Sequence, residues 1–226
     1  LQAAFALAEV SAGMRVLDVG CGRGEILRHC ARLGARACGV DYAPAAVSIA
    51  RKDGSRNALN ANPVSRADAK ALPFPDGDFD RVLLFDVVEH LFPWEMKQAL
   101  QQARRVLQRD GLLVVHTAPN AWYDRYAYPF VRLFRVLCGQ GAAYPANPRA
   151  LNVAANVDVH VNEQSALSLW LALRRAGFRG QVWLQSPPQS RNEHALLAAL
   201  RRVLFAWPPF RWFFQREVFA VARMAA

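Results

Sequence analysis

The ten residues VLDVGCGRGE, numbered 16–25, decide the fold of this chain. The apolar, β-branched residues around Asp18 predict a short buried strand, and glycines follow at positions 20, 22 and 24. Glycine in a turn permits positive φ angles and lets the backbone approach another group closely. We therefore expect a ligand to meet the main chain where this strand ends.

Strands and helices alternate along the chain on either side of that turn. The predicted strands cover residues 15–20, 37–41, 64–69, 79–88, 111–118, 179–185 and 217–224. The predicted helices cover residues 1–9, 25–33, 43–52, 96–107, 163–178 and 192–207. This alternation predicts right-handed βαβ units and a mainly parallel sheet with both faces covered. Ligands of such sheets bind at the carboxyl ends of the strands.

Composition sets broad limits on location and partners. The 226 residues carry a net charge of +10, mostly from arginine, with four cysteines and no CxxC pair. A basic surface attracts nucleic acid, anionic lipid or an acidic substrate, although general arginine enrichment explains the charge equally well. No apolar run reaches membrane-spanning length and no signal peptide is visible. We expect a reduced, cytoplasmic protein without a metal site; its oligomeric state stays open.

The glycine spacing narrows the choice of ligand. Gly20, Gly22 and Gly24 form GxGxG, which is neither the GxGxxG dinucleotide fingerprint nor a phosphate-binding P-loop. The next helix opens with Glu25, an unfavourable neighbour for a pyrophosphate, whereas Asp41 ends the second strand, where a carboxylate binds ribose hydroxyls. A nucleoside without phosphates fits these features.

Four ordered blocks carry a family resemblance: VLDVGCGRGE, GVDYAPAAVSIAR, ADAKALPFPDGDFDRVLLFDVVEHL and ARRVLQRDGLLVVHTAPN. Together they resemble the class I S-adenosylmethionine-dependent methyltransferases, within the branch that methylates quinones, sugars or lipids. The match spans residues 14–120, with a similar late helix and last strand. It implies a Rossmann-like, doubly wound α/β fold with seven strands in the order 3-2-1-4-5-7-6, strand 7 antiparallel, and helices on both faces.

The same resemblance implies one methyltransferase domain over residues 1–226, with a helical cap over the acceptor. We expect this cap to comprise residues 1–12, 121–160 and 190–214. The cofactor would be S-adenosylmethionine, which leaves as S-adenosylhomocysteine, and the acceptor would be a small molecule, a sugar or a lipid-like compound, methylated on oxygen.

Cofactor-binding residues follow from the resemblance, position by position. Those cradling the methionine part and ribose would be Asp18, Gly20, Gly22 and Gly24, with Asp41 on the ribose hydroxyls. Those near the adenine would be Asp68, Ala69 and Tyr42, and those bordering the sulfonium would be Asp86 and Val87. Two alternatives stay open: Asp86 as a helix N-cap, and Tyr42 as a cover for the sheet edge.

An oxygen acceptor needs a proton removed, and histidine suits that near neutral pH. The candidates are His90, in DVVEHL, and His160, before the late helix. We interpret His116, within a predicted strand, as a packed core residue. Glu89 would pair with a histidine or be solvated.

Two other functions compete with O-methylation. A catalytically silent cofactor-binding or membrane-docking protein would keep the Asp41 site without turnover. An RNA methyltransferase is the other alternative, but the N/D-P-P-Y/F motif of base-methylating enzymes is missing after the fourth strand, so we do not expect a nucleic-acid partner.

Two segments rich in aromatics and arginine, around residues 121–135 and 201–216, have three interpretations. They pack on each other as a lid, line an apolar acceptor pocket, or lie on the inner face of a membrane.

Overall fold

Seven strands form one mixed sheet in the computed structural model, which describes residues 1–56, 63–151, 156–186 and 202–225. The strands are β1 Arg15–Val19, β2 Arg36–Asp41, β3 Val64–Arg66, β4 Phe79–Phe85, β5 Leu107–Thr117, β6 Phe178–Gln185 and β7 Glu217–Met224. Their order is β3-β2-β1-β4-β5-β7-β6, with β7 antiparallel to both neighbours and the other pairs parallel. The predicted fold class and strand order are confirmed.

Helices cover both faces of this sheet. They are α1 Gln2–Ala6, α2 Glu25–Arg32, α3 Pro44–Arg56, α4 Pro93–Val106, α5 Tyr128–Leu137, α6 Asn156–Val159, α7 Ala166–Arg175 and α8 Phe210–Phe214. Successive residues of a strand face opposite sides. Val16 therefore packs in the core with α1, α2 and α3, while Leu17 packs in a second core with α4 and α7. Among the described helices, none is long and apolar enough to cross a bilayer.

Several predicted boundaries are wrong by a few residues. β5 begins at Leu107 instead of residue 111, because buried Leu107 pairs with Phe79 ahead of a register shift in which the extra residues lie in β5, before Leu112 pairs with Arg81. The polar residues 108–110 hid this start, since none of their three side chains is buried. β3 ends at Arg66, and α3 runs on past Gly54. The helix predicted over residues 192–207 lies mostly outside the described residues, which include a helical stretch at 202–206.

The two aromatic segments pack on each other, as the lid interpretation expects. The rings of Trp122 and Phe213 stack at 5.5 Å, and Tyr126 meets Phe213 edge-on at 5.8 Å. The side-chain amide of Asn120 donates to the carbonyls of Trp212 and Gln215, both at 2.9 Å. Residues after β5 are thereby attached to the segment that precedes β7.

A buried histidine joins three strands at the carboxyl end of the parallel sheet. His116 in β5 is 4% exposed, and its Nδ1 lies 2.7 Å from Asp86, which directly follows β4. Its Nε2 lies 3.5 Å from Glu217, the first residue of β7. Neither contact has hydrogen-bond alignment, so the attraction is between charges. Burial alone would lower the pKa of His116, but the two carboxylates outweigh it and raise this pKa to about 9.

The histidine is thus buried as we expected, but between two carboxylates instead of apolar neighbours alone. The strand prediction found the position of His116 and missed its partners, because the residues it contacts are 30 and 101 positions away in the chain. The contact with Asp86 also replaces the N-cap interpretation: the helical turn that follows has Val87 at its N-cap position and no side-chain cap.

This charge contact predicts how stability depends on pH. The pKa of His116 lies above its ordinary 6.5, so the stabilisation is complete below about pH 6.5 and disappears as pH rises through about 9. Over that window we expect the free energy of unfolding to fall by up to about 3 kcal/mol. Urea unfolding at a series of pH values measures it.

His116→Gln should lack this part of the pH dependence. His29→Gln, which removes a histidine of α2 outside the network, should keep it. Equal slopes for His116→Gln and the unmodified chain would contradict a charged His116.

Candidate functional site

A cleft of about 580 Å³ opens at the carboxyl ends of β1, β2 and β4. Eight of the predicted site residues line it: Gly20, Asp41, Tyr42, Asp68, Ala69, Asp86, Val87 and His90. The other four, Asp18, Gly22, Gly24 and His160, are not among its lining residues. Most of the predicted site residues therefore meet at the carboxyl ends of the strands, where a parallel sheet is expected to bind its ligand.

The glycine turn forms one wall of the cleft. Gly20, Gly22 and Gly24 have φ values of +75°, +50° and +76°, a region that side chains rarely adopt. A Cβ atom on Gly20 would lie 2.5 Å from Cγ2 of Val87, whereas one on Gly22 would meet open space. Position 20 therefore requires glycine for packing as well as for backbone conformation. The space beside Gly22, in contrast, is open to a ligand.

Asp41 ties this turn to the second wall. Its Oδ2 accepts the backbone N–H of Gly22 at 2.9 Å, and its Oδ1 accepts that of Ala43 at 2.8 Å. A carboxylate has about four acceptor positions, so two remain for ligand hydroxyls. Asp18 lies buried nearby, and burial together with the Asp41 charge raises the pKa of Asp18 to about 7.

The far wall carries a charge cluster around Lys70. Asp68 accepts the Lys70 backbone N–H at 2.9 Å, and its Oδ2 lies 3.2 Å from the Lys70 ammonium. That ammonium lies 2.5 Å from Glu95 and 5.3 Å from the Trp94 ring. Hydrogen bonding to Glu95 raises the pKa of Lys70, and the same bond lowers the pKa of Glu95. Asp68 thus lines the cleft already paired with a cation.

Tyr42 is 69% exposed at the cleft rim, and the Arg66 guanidinium lies 5.7 Å from its ring. This exposed position suits a ring that stacks on a ligand. It does not favour the alternative in which Tyr42 covers the sheet edge.

Asp86 has a backbone conformation that non-glycine residues seldom adopt. Its φ is +54°, and its backbone N–H donates to the carbonyl of His116 at 3.0 Å. Such strain persists where the surroundings fix it, and it clusters at functional sites. The side chain, 43% exposed, faces the cleft while the buried imidazole holds it from behind.

Beside the cleft, two histidines and a glutamate converge, and His90 is the one of them that lines the cleft. The rings of His90 and His160 meet edge-on with centroids 4.8 Å apart. Glu89 is 1% exposed and accepts the Thr117 hydroxyl at 2.8 Å. Burial, assisted by the charge of Asp86, raises the pKa of Glu89 to about 7. Glu89 is therefore buried, so the expectation of a solvated side chain is wrong.

The residues before α7 are tied to the same point. The carbonyl of Glu89 accepts the backbone N–H groups of Val161, at 2.9 Å, and Asn162, at 3.1 Å. The Nδ1 of His90 lies 3.1 Å from the carbonyl of Val159. His160 is 6% exposed, and burial together with His90 lowers the pKa of His160. The two histidines predicted separately thus share one location.

Sequence reasoning missed the Lys70–Glu95 pair and the contact of Glu89 with Thr117. Lys70 had one signal: it is among only three lysines of the chain, and it follows Asp68 by two residues. No signal in the sequence indicated the contact between Glu89 and Thr117, because that contact depends on how β4 and β5 are aligned.

The site fits a nucleoside joined to a cationic group. The free acceptor positions of Asp41 suit ribose hydroxyls, the acidic side chain of Asp86 suits a positive charge, and the space beside Gly22 is open. Lys70 also lines the cleft, but its positive charge is neutralised by the carboxylates of Asp68 and Glu95.

Comparison with known proteins identifies the family. The family described as "Methyltransferase domain" matches residues 17–115. A demethylmenaquinone methyltransferase of Tropheryma whipplei is 31% identical over 191 residues, 80% of this chain and 73% of that protein. A ubiquinone biosynthesis O-methyltransferase of Cereibacter sphaeroides is 34% identical over 105 residues, 46% of this chain and 41% of that protein.

Solved structures show the same fold. An S-adenosylmethionine-dependent methyltransferase from Mesorhizobium loti has a TM-score of 0.66 at 18% identity, covering 98% of this chain and 96% of that one. The YcgJ protein of Bacillus subtilis has a TM-score of 0.66 at 20% identity, covering 100% of this chain and 99% of that one. By the matched domain and the relative aligned over 73% of its length, the chain belongs to the class I S-adenosylmethionine-dependent methyltransferases of small molecules and is an enzyme of that family.

Proposed function

We propose that this enzyme methylates a hydroxyl oxygen of a small, largely apolar acceptor of the quinol type. The observation that carries the proposal is the pair of imidazoles with ring centroids 4.8 Å apart, one of which, His90, lines the same cleft as Asp41. A hydroxyl that gains a methyl group must lose its proton, and imidazole accepts protons near neutral pH. The quinone names of two relatives support the acceptor class.

The cofactor's place in the cleft follows from the donors and acceptors that line it. We assign the ribose hydroxyls to Asp41, the methionine part to the glycine turn with Asp18 behind it, and the adenine to Tyr42, Asp68 and Ala69. Asp86 and Val87 then border the sulfonium. When bound, S-adenosylmethionine supplies a methyl group that is already activated for displacement.

The chain's own contribution to the reaction is position and exclusion of water. Orienting two reactants is worth up to about 7–11 kcal/mol of the barrier when their geometry is good. The Asp41 contacts hold the glycine turn, and the His116 contact holds Asp86, so both sides of the cleft are fixed in advance. His90 and His160 assist removal of the acceptor's proton.

Asp41→Ala tests the cofactor site. Loss of two charge-assisted bonds to the ribose should weaken S-adenosylmethionine and S-adenosylhomocysteine alike by about 1.5–3 kcal/mol. Titration calorimetry measures both, with Asp110→Ala, an exposed carboxylate in β5, as the control. NAD should not bind. Unchanged affinity in Asp41→Ala, or tight binding of NAD, would contradict the assignment.

The histidine pair is tested by turnover of a quinol with a free hydroxyl. His90→Ala or His160→Ala should lower kcat by about 10²- to 10⁴-fold, with cofactor affinity nearly unchanged. His29→Ala is the matched control. The same quinol with its hydroxyl already methylated should give no product, because the accepting oxygen is blocked. Normal kcat in both cleft variants would leave positioning as the main effect, and absence of turnover with every acceptor would favour a silent binding protein.

The exposed face of α5 supports delivery of the acceptor from a membrane surface. Phe130, Leu133, Phe134 and Leu137 follow the i, i+3, i+4, i+7 spacing of one helix face, and Phe130 and Leu137 are 72% and 78% exposed. Arg132 and Arg135 are on the same helix, and the net charge of +10 favours an anionic surface. We assign this face to contact with anionic lipid at the periphery of a membrane.

Co-sedimentation with vesicles tests this contact. The chain should bind anionic vesicles, and affinity should fall as salt rises, because arginine supplies part of the attraction. Phe130→Ser combined with Leu137→Ser should weaken binding about tenfold or more, since two apolar side chains no longer leave water. Leu167→Ser, at a 52% exposed leucine of α7, is the control. Failure of the unmodified chain to bind anionic vesicles would overturn the assignment.

A further inference from the structure

The donor atoms of Glu89, His90 and His160 form a cluster of their own beside the cleft. One ligand atom from each residue lies within 4.8 Å of the other two. The sequence gives no hint of such a cluster, since His160 follows His90 by 70 positions and the usual zinc spacings are missing. We propose that these three side chains bind one divalent transition-metal ion, a site that deepens the proposed function and rests on it: a metal-bound imidazole nitrogen has no free lone pair, so the ion takes over from the two histidines the task of promoting loss of the acceptor's proton.

The surroundings of His90 are those of a metal-binding histidine. Such a histidine commonly gives the N–H of its other ring nitrogen to a backbone carbonyl, which fixes both the tautomer and the ring. Here Nδ1 lies 3.1 Å from the carbonyl of Val159, so Nε2 is left as the nitrogen with a free lone pair. His90 is exposed and lines the cleft, which gives the ion a route of entry.

Glu89 is held in a comparable way. One of its oxygens accepts the Thr117 hydroxyl at 2.8 Å, which orients the carboxylate and leaves the other oxygen for an ion. Hydrogen bonds of this kind are the ordinary support of a metal-binding carboxylate. The carboxylate is 1% exposed and has no ion-pair partner among the described residues, so a bound cation would be its direct charge partner.

His160 supplies the observation that most needs an explanation. Its side chain is 6% exposed, yet Nδ1 has no hydrogen-bond partner in the part of the chain that the structure describes. Glu163 Oε1 lies 4.0 Å from that nitrogen, too far for a hydrogen bond, and it also lacks a hydrogen-bond partner among the described residues, while Oε2 accepts from Arg149. A buried imidazole nitrogen without a partner loses free energy unless a ligand completes it. A bound cation would do so.

The backbone holds the three residues at one place. Both Val161 and Asn162 donate to the carbonyl of Glu89, so the segment carrying His160 is attached directly to the turn carrying Glu89 and His90. A site whose ligands come from two distant segments requires that kind of attachment, since small displacements open it.

The donor set selects the class of ion. Two imidazole nitrogens and one carboxylate oxygen suit Zn²⁺, Mn²⁺, Fe²⁺ or Co²⁺ better than Mg²⁺ or Ca²⁺, which favour oxygen ligands alone. Three protein ligands leave further positions open on the side facing the cleft. An acceptor hydroxyl bound there would have a lowered pKa. In the reaction its O–H bond breaks with the proton passing to solvent, a C–O bond forms, and the C–S bond of the cofactor breaks.

Cobalt binding tests the site without reference to activity. Protein produced without a polyhistidine tag is stripped with chelator and titrated with Co²⁺, and the visible d–d absorption is recorded. We expect saturable one-to-one binding that Zn²⁺ displaces. His160→Ala and Glu89→Gln should weaken Co²⁺ by about 100-fold or more, and Thr117→Val by about 10- to 100-fold through loss of its support for Glu89. His29→Ala should bind as the unmodified chain does.

Circular dichroism and cofactor affinity show whether each variant is folded. If the alanine variant does not fold, Glu89→Gln still tests the site, because its side-chain amide oxygen can accept the Thr117 hydroxyl as the carboxylate does. Absence of Co²⁺ absorption, or the same absorption in His160→Ala and Glu89→Gln, would overturn the metal site. Loss of turnover in the histidine variants without any ion binding would leave the histidines as bases and overturn only the metal. Ion binding without methylation of any quinol would retain the metal and overturn the proposed acceptor.

Discussion

The close approach of the glycine turn to the end of β4 is the contact on which the site depends. With Gly20 directly against the side chain of Val87, no Cβ fits between the β1 turn and the β4 exit. Asp41 then fastens the turn from the other side by accepting the N–H of Gly22. One wall of the cleft is therefore made of main chain, and it is held from both sides before any ligand binds.

Charge is distributed unevenly over this chain. The molecule as a whole is strongly basic, yet the residues along the cleft that carry charge are mainly acidic: Asp41, Asp68, Asp86 and Glu95, with Lys70 among them. A cation in the cleft meets favourable charge, whereas the outer surface favours anions. The same enzyme can thus hold a sulfonium compound inside while its exterior faces acidic partners.

The fold and the position of the glycine turn and Asp41 at one cleft were predictable because local patterns determine them. The glycine spacing, Asp41 at a strand end and the alternation of strands and helices all follow from a few consecutive residues. Glu89, His116 and His160 were harder, since their roles depend on partners far along the chain, namely Thr117, Glu217 and the turn after β4. The start of β5 was missed for a related reason: polar residues 108–110 follow Leu107, which joins the sheet through its pairing with Phe79 of β4.

The position of β7 has a consequence for biosynthesis. This strand follows β6 in the chain but lies between β5 and β6, so neither of them has its full set of neighbours until residues 217–224 are made. Domains form from the amino terminus onward during translation. A nascent chain that ends before Glu217 has β1 to β5 available to pair, but its His116 lacks one of its two carboxylates and the β5 edge is open. Glu217 therefore completes the charge pairing of His116 behind Asp86 only after residue 217 has been made, long after the glycine turn has emerged from the ribosome.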